Sequence, residues 1–444
     1  MPASPADSPM YARLFADADA ARLFSDSAEV RAMLLVEGSL AKVQGELGVI
    51  PADAAAFLHR AAFEVQIDPS GLAAEVEVSG VPVPALVAAF RAGCNAPEFA
   101  AYAHWGATSQ DIMDSALALR LKRLITLWES GLDAVLSALA GLALANADLP
   151  MAARTYGQIA TPTSFGAVVA SWGWPLLAQR RALADLRPLV LRVSLSGAAG
   201  TLAAMGAAGP KVRAALAADL GLIDPGHSWH TDRSGIGALA GWMATTAAAL
   251  GKLGEDLLLL TQSGIAEVHI AGGGASSTMP QKQNPVGASV LVALARQVVG
   301  LGAVLTGAGL HRQQRDGSAW FTEWLNLPQM AILTSRAITL AVRVSGAMQP
   351  QPDAMVRQMT EGGGLIYAEA LSFDLAERMP RPAAQAAVKR LCQEVQQTGA
   401  ALTDLAARDF PGADWAARLA TAGLGQAPAE ARAFAAQIAE FCPQ

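Results

Sequence analysis

From Asp114 to Pro150 the chain runs without an internal proline, and Leu117, Leu121, Leu124 and Trp128 recur at i, i+4, i+7 and i+11. Apolar side chains at that spacing share one face of a helix, so a long amphipathic helix is predicted here. A second is expected from Ser164 to about Leu186, kinked at Pro175, whose ring removes a helical hydrogen bond. The third is the clearest: Ile236, Met243, Leu250 and Leu257 repeat every seven residues, and Leu239, Leu253 and Leu260 follow a second seven-residue series. Such a repeat is the seam of a helix packed along its length. Val286–Leu310 and Ser318–Met348 add two more helices, the latter holding only Pro328 inside. Five long helices predict an all-α fold built on a central antiparallel bundle. No period-2 run is long enough to suggest a substantial sheet.

The flanks read differently. Residues 1–113 are broken by Pro51, Pro69, Pro82, Pro84 and Pro97, which predicts short helices and loops, with Ser27–Gly48 as the main early helix. Pro350 and Pro352 mark a second boundary, beyond which shorter helices are expected over Gly364–Arg378, Ala383–Thr398 and after Pro411 and Pro428. The expected division is an N-terminal helical domain (1–113), a central bundle (114–349) and a small helical C-terminal domain (350–444).

Composition adds an interface. With 52% hydrophobic and 16% charged residues, a monomer would struggle to cover its surface, so an oligomer with large apolar contacts is expected. The longest uncharged runs, Val193–Pro210 and Ser234–Gly251, are rich in small residues and do not read as the roughly 20 strongly apolar residues of a membrane span. No signal peptide is evident. Cys94, Cys392 and Cys442 are odd in number and scattered, which suggests reduced thiols in a cytoplasmic protein. Neither His nor Cys shows metal-ligand spacing, and no Gly-x-Gly-x-x-Gly follows a strand, so no metal or nucleotide cofactor is expected. The net charge of −6 argues against a nucleic-acid partner.

Three stretches carry chemistry. Ala271–Pro285 (AGGGASSTMPQKQNP) joins three successive glycines to two prolines. Glycine resists a helix interior and proline bars regular structure, so Ser276, Ser277, Lys282 and Asn284 ride on a loop. That is either a functional lid or a flexible linker. Thr108, Ser109 and Gln110 stand just before the first long helix, where donors make either an anion site or an N-cap turn. Arg154–Gly166 reads as a loop between long helices, with Gly157 and Pro162 as breakers and Thr155 and Gln158 as its polar groups. Arg233, in Trp229–Arg233, and Arg315, near Trp320 and Trp324, are carboxylate clamps, or else members of ion pairs or caps.

Ser-Ser-x-Met-Pro-x-Lys-x-Asn-Pro over 276–285 matches seven positions of a ten-residue window, and resembles the signature loop of the fumarase/aspartase superfamily. Thr-Ser-x-Asp at 108–111 resembles that superfamily's first conserved region. The longer run His-Trp-Gly-Ala-Thr-Ser-Gln-Asp is most similar to its 3-carboxy-cis,cis-muconate cycloisomerase branch. The resemblance implies an all-α, three-domain subunit in a homotetramer whose active sites draw loops from three subunits. It implies Ser276 as the carbon acid's base or its conjugate acid, with Lys282 and Asn284 holding the adjacent carboxylate. It further implies Thr108, Ser109, Gln110, Ser277 and Met279 as substrate contacts, with His104 as a ligand, a proton-handling group or a structural residue. Thr155, Tyr156 and Gln158 fall in the second conserved region. There the lyases carry Thr-His, whereas Tyr156 replaces the His. Cycloisomerases typically have Trp at that point. A carboxylate leaving group needs no acid to depart, so the loss of the imidazole fits an intramolecular carboxylate addition yielding a γ-lactone. Ile159 stands where a second His is usual in both branches. The alternatives are a β-eliminating lyase on another succinyl or nitrosuccinate-like substrate, and a catalytically silent paralogue.

Overall fold

The computed structural model describes residues 4–442 apart from Gly273, Ser276, Ser277, Pro280, Thr421 and Ala422. An early helix, α1, spans Asp26–Glu46. The five expected long helices form as α2 (Ser109–Ala145), α3 (Phe165–Val190), α4 (Ser234–Leu260), α5 (Val286–Gly307) and α6 (Gly317–Gly346). All seven residues of the paired heptad series in α4 are buried, as an apolar seam requires. α3 runs through Pro175 as one helix. α2 starts five residues earlier than the apolar spacing alone indicates, because the Asp111 carboxylate in its first turn accepts the Thr108 backbone N–H.

The chain divides into two compact units, and each long helix contributes to both. The first unit contains 1–131, 179–248 and 293–339; the second contains 132–178, 249–292 and 340–444. In the first, Trp128 of α2 stacks on Trp242 of α4 with ring centroids 4.8 Å apart, and its Nε1 donates to Ser335 Oγ of α6 at 2.7 Å. In the second, Trp172 of α3 donates to Asp256 of α4 at 2.7 Å. There Gly254 lets α4 approach α5 so closely that a Cβ would stand 2.9 Å from the Ala288 carbonyl.

The strands among the described residues make three two-stranded antiparallel ribbons: β1 (Pro150–Thr155) with β2 (Gln158–Ser164), β3 (Val268–Ile270) with β6 (Met348–Pro350), and β4 (Gly274–Ala275) with β5 (Gln283–Asn284). The expected interhelical loop at 154–166 is therefore largely a hairpin. Its two-residue turn puts Tyr156 at φ 52° and Gly157 at φ 74°, the left-handed pair that matches strand twist. A register shift between Ala152 and Arg154, together with Pro150 and Pro162, hides the alternation that would have revealed the strands.

By length and composition alone α2 and α5 are long and apolar enough to cross a membrane, which is weak evidence for a span. Helices packed into a bundle pass the same test. The most apolar window of α5 is 56% buried within the chain, and Val299 and Val304 remain half-exposed on it.

At Gly166 an added Cβ would meet the Ala143 carbonyl oxygen at 2.5 Å and Ala147 Cα at 2.7 Å, both backbone atoms. Gly166→Ala is expected to cost about 1–3 kcal/mol and to lower the thermal midpoint. Gly141→Ala, with nothing within 4 Å of its Cβ, should not; equal midpoints for the two variants would refute the close approach.

Candidate active site

The first turn of α2 is nailed in place by one carboxylate. Asp111 is fully buried and accepts from the backbone N–H groups of Thr108 at 3.0 Å, Ser196 at 2.8 Å and Gly197 at 2.9 Å, and from Ser194 Oγ at 3.2 Å. His230 Nε2 lies 2.8 Å from it. A buried carboxylate is tolerated only when so satisfied, and these bonds tie the 194–197 loop and His230 to the helix start. Thr108 and Ser109, at the positive end of the α2 dipole, are partly exposed. Neither hydroxyl bonds to another described residue. Two open donors at a helix N-terminus suit an anion.

Gln110 points inward instead. It is fully buried; its Nε2 donates to the His230 carbonyl at 2.9 Å and to Asp114 Oδ2 at 3.2 Å, and its Oε1 accepts from Arg315 Nε at 2.9 Å. Gln110, expected as a substrate contact from its neighbours, spends its amide on these three partners and links the helix start to Arg315. Arg315 also donates from Nη2 to the Ala198 carbonyl at 3.2 Å; it is partly exposed.

Arg233, expected as a carboxylate clamp or else a member of an ion pair, is held in ion pairs with the chain's own carboxylates. Its buried guanidinium meets Glu323 at 2.7 and 2.6 Å and Asp114 at 2.8 and 3.1 Å, and lies over the Trp229 ring with 4.9 Å to its centroid. Burial opposes its charge, but Asp114 and Glu323 outweigh that and raise its pKa. Burial also raises the Glu323 carboxyl, although Arg233 pulls the other way. All three guanidinium nitrogens serve the chain's own carboxylates, so the forked geometry is spent internally.

His104 adopts φ 63°, an uncommon conformation for a residue with a side chain. Its Nδ1 stands 2.7 Å from Glu37 Oε1. Burial lowers its pKa, but the hydrogen bond and charge of Glu37, joined by Asp111, more than compensate and raise it above the ordinary 6.5. In the first unit a cavity of about 370 Å³, walled by Met33, Met113, Trp320, Trp324 and Leu327, borders Asp114 and Glu323 but none of Thr108, Ser109 and Arg315.

The remaining expected site residues belong to the second unit. Thr155, Tyr156 and Gln158 are exposed at the β1–β2 tip. Lys282 and Met279 are exposed, and Asn284 on β5 borders a cavity of about 260 Å³ with Thr261, His269 and Gln351. Ser276 and Ser277 lie outside the described residues. The structure thus gathers Thr108, Ser109, Gln110, Arg233 and Arg315 in one unit, while in the other Thr155, Tyr156 and Gln158 stand at the tip of one ribbon and Asn284 on another. Sequence reading missed Glu37, Asp114, His230 and Glu323. Asp114 and Glu323 sit within or beside the singled-out motifs, but Glu37 is 67 positions from its partner and left no signal.

A family model described as Lyase matches residues 15–300. The 3-carboxy-cis,cis-muconate cycloisomerase of Pseudomonas aeruginosa is 38% identical over 376 residues, covering 84% of this chain and 82% of that protein. The chain belongs to the lyase family of the fumarase/aspartase superfamily. The nitrosuccinate lyase of Streptomyces davaonensis is also similar, 35% identical over 394 residues, covering 86% of this chain and 83% of that protein. Among solved structures, the 3-carboxy-cis,cis-muconate lactonizing enzyme from Pseudomonas putida superimposes with a TM-score of 0.90 at 32% identity, over 98% of this chain and 100% of that one. The expected family and all-α fold both stand, and the chain is a lyase-family enzyme.

Two tests address this architecture. Because the native fold raises the His104 pKa, its pairing with Glu37 stabilises fully below the unfolded value near 6.5 and loses that contribution as pH rises through the native value. Glu37→Gln should therefore cost more stability at pH 6 than at pH 9, and should lower the His104 titration midpoint followed by NMR; an unchanged midpoint would exclude the pairing. Arg233→Leu strands two buried carboxylates and is expected to cost about 3–5 kcal/mol in denaturant unfolding, whereas a loss under 1 kcal/mol would mean that the network is not formed in solution.

Proposed function

We propose that the protein is a cycloisomerase that converts 3-carboxy-cis,cis-muconate to a carboxymuconolactone, as part of protocatechuate degradation. The observation that carries the reading is the pair of hydroxyls, Thr108 and Ser109, unbonded among the described residues at the start of α2, with Arg315 tied through Gln110 to the same turn. This is a cradle for a carboxylate. Similarity to several cycloisomerases at 35–38% identity supports the branch, and so does Tyr156 where lyases carry an imidazole. One substrate carboxylate adds through oxygen to its own conjugated double bond. The electron pair moves onto the neighbouring carboxylate as an aci-carboxylate, and a proton is then delivered to carbon.

In this reading Ser276 delivers that proton, and Lys282 and Asn284 hold the aci-carboxylate. A fixed ammonium there favours the dianionic transition state over the ground state. Thr155, Tyr156, Gln158, Ser277 and Met279 line the substrate, Tyr156 standing where lyases carry the imidazole, and His104 contacts the substrate or handles a proton. The proposal extends to a three-domain subunit and a cytoplasmic homotetramer that assembles each site from loops of three subunits. Half-exposed Val299 and Val304 on α5, and Leu325 on α6, with 68% of its surface open, support an apolar subunit interface. A second reading, a β-eliminating lyase on a nitrosuccinate-like substrate, draws on the similar nitrosuccinate lyase and on Ile159.

The test is loss of diene absorbance with purified protein and 3-carboxy-cis,cis-muconate. Turnover by the natural chain, falling about 10²–10⁴-fold in Ser276→Ala, is the expected outcome. No turnover above the uncatalysed rate would discard the cycloisomerase in favour of assays with nitrosuccinate.

A further inference from the structure

We infer that the buried Asp114–Arg233–Glu323 ion network, acting through the Gln110 amide, fixes the guanidinium of Arg315 in a geometry that leaves one edge open to a substrate carboxylate. Gln110 and Arg233 are then positioning residues. This rests on the reading of Arg315 as a carboxylate ligand.

An amide side chain is nearly symmetric in shape but not in chemistry, since one end accepts and the other donates. At Gln110 the two acceptors, Asp114 Oδ2 and the His230 carbonyl, lie on the Nε2 side. The oxygen must therefore face Arg315 Nε. The flipped amide would set its NH₂ against a guanidinium donor and its oxygen against a carboxylate. Asp114 enforces this orientation only while its carboxylate is held against the Gln110 amide. Arg233 makes that possible with two bonds to it, and Glu323 balances the other side of the same guanidinium.

The consequence reaches Arg315. Its Nε and Nη2 are anchored on Gln110 and the Ala198 carbonyl, while Nη1 makes no hydrogen bond to the described residues. The edge formed by Nη1 and the second hydrogen of Nη2 remains for a carboxylate, which would be held bidentate. Lysine offers no such fork, so the device predicts a requirement for arginine rather than for charge.

The test is a double-mutant cycle on Gln110→Met and Arg315→Lys, with fold checked by thermal unfolding. Each single change should lower kcat/KM with 3-carboxy-cis,cis-muconate about 10- to 100-fold, chiefly through KM. The double variant should be no worse than Arg315→Lys alone, because Gln110 acts only through Arg315. Multiplying losses would overturn the inference. A crystal structure of Gln110→Met supplies a readout independent of substrate: Arg315 should leave the Ala198 carbonyl, and an unmoved guanidinium would overturn the inference. If the natural chain does not turn over the substrate but Arg315 moves in this variant, the functional reading fails and the positioning stands. Should Gln110→Met not fold, Gln110→Asn, too short to span Asp114 and Arg315, takes its place in both measurements with the same expected outcomes.

Discussion

Two carboxylates three residues apart on the first turns of α2, Asp111 and Asp114, are both buried, and each must be satisfied for this region to exist. Isolated burial of either charge would be prohibitive. Asp111 is satisfied by neutral donors, among them the backbone of 194–197, and so recruits a loop. Asp114 is satisfied by Arg233, and so recruits a cation together with Glu323 on α6. The same helix start thereby acquires a fixed loop on one side and a fixed charge network on the other. Between them the Thr108 and Ser109 hydroxyls make no hydrogen bond to the described residues.

This division of labour explains why polar residues in one motif end up with different duties. Thr108, Ser109, Gln110 and Asp111 are adjacent in sequence, yet a helix turns about 100° per residue, so each points to a different neighbour. Gln110 and Asp111 face the interior and are consumed in positioning, while Thr108 and Ser109 reach toward solvent. Arg315 illustrates the intermediate case, anchored through Nε and Nη2 while Nη1 makes no hydrogen bond to the described residues. Preorganisation of this kind favours catalysis by charge, because donors held before the substrate arrives need not reorganise during reaction.

The bundle supplies the rigidity on which this depends. Paired tryptophans such as Trp128 and Trp242 fill the space between helices in the first unit, while Gly254 allows close approach in the second. The cost is a chain with few charges and apolar residues left half-covered, including Val299, Val304 and Leu325. Such surface is better buried against another subunit than left to water.

The residue pattern by itself determined the five long helices, the heptad seam of α4 and the family, because helical periodicity and contiguous motifs are local properties of the chain. The hairpin at 150–164 was not legible: its turn uses Tyr156 in a left-handed conformation where Asn or Gly would have announced it, and prolines and a bulge obscured the strands. Nor could the sequence assign Arg233 and Gln110. An arginine beside aromatic residues looks the same whether its partners are substrate oxygens or Asp114 and Glu323, and those partners lie 119 and 90 positions away. Only the tertiary structure decided which polar groups are used up inside the fold and which stay open, because satisfaction of a buried charge depends on what folding brings within hydrogen-bond distance.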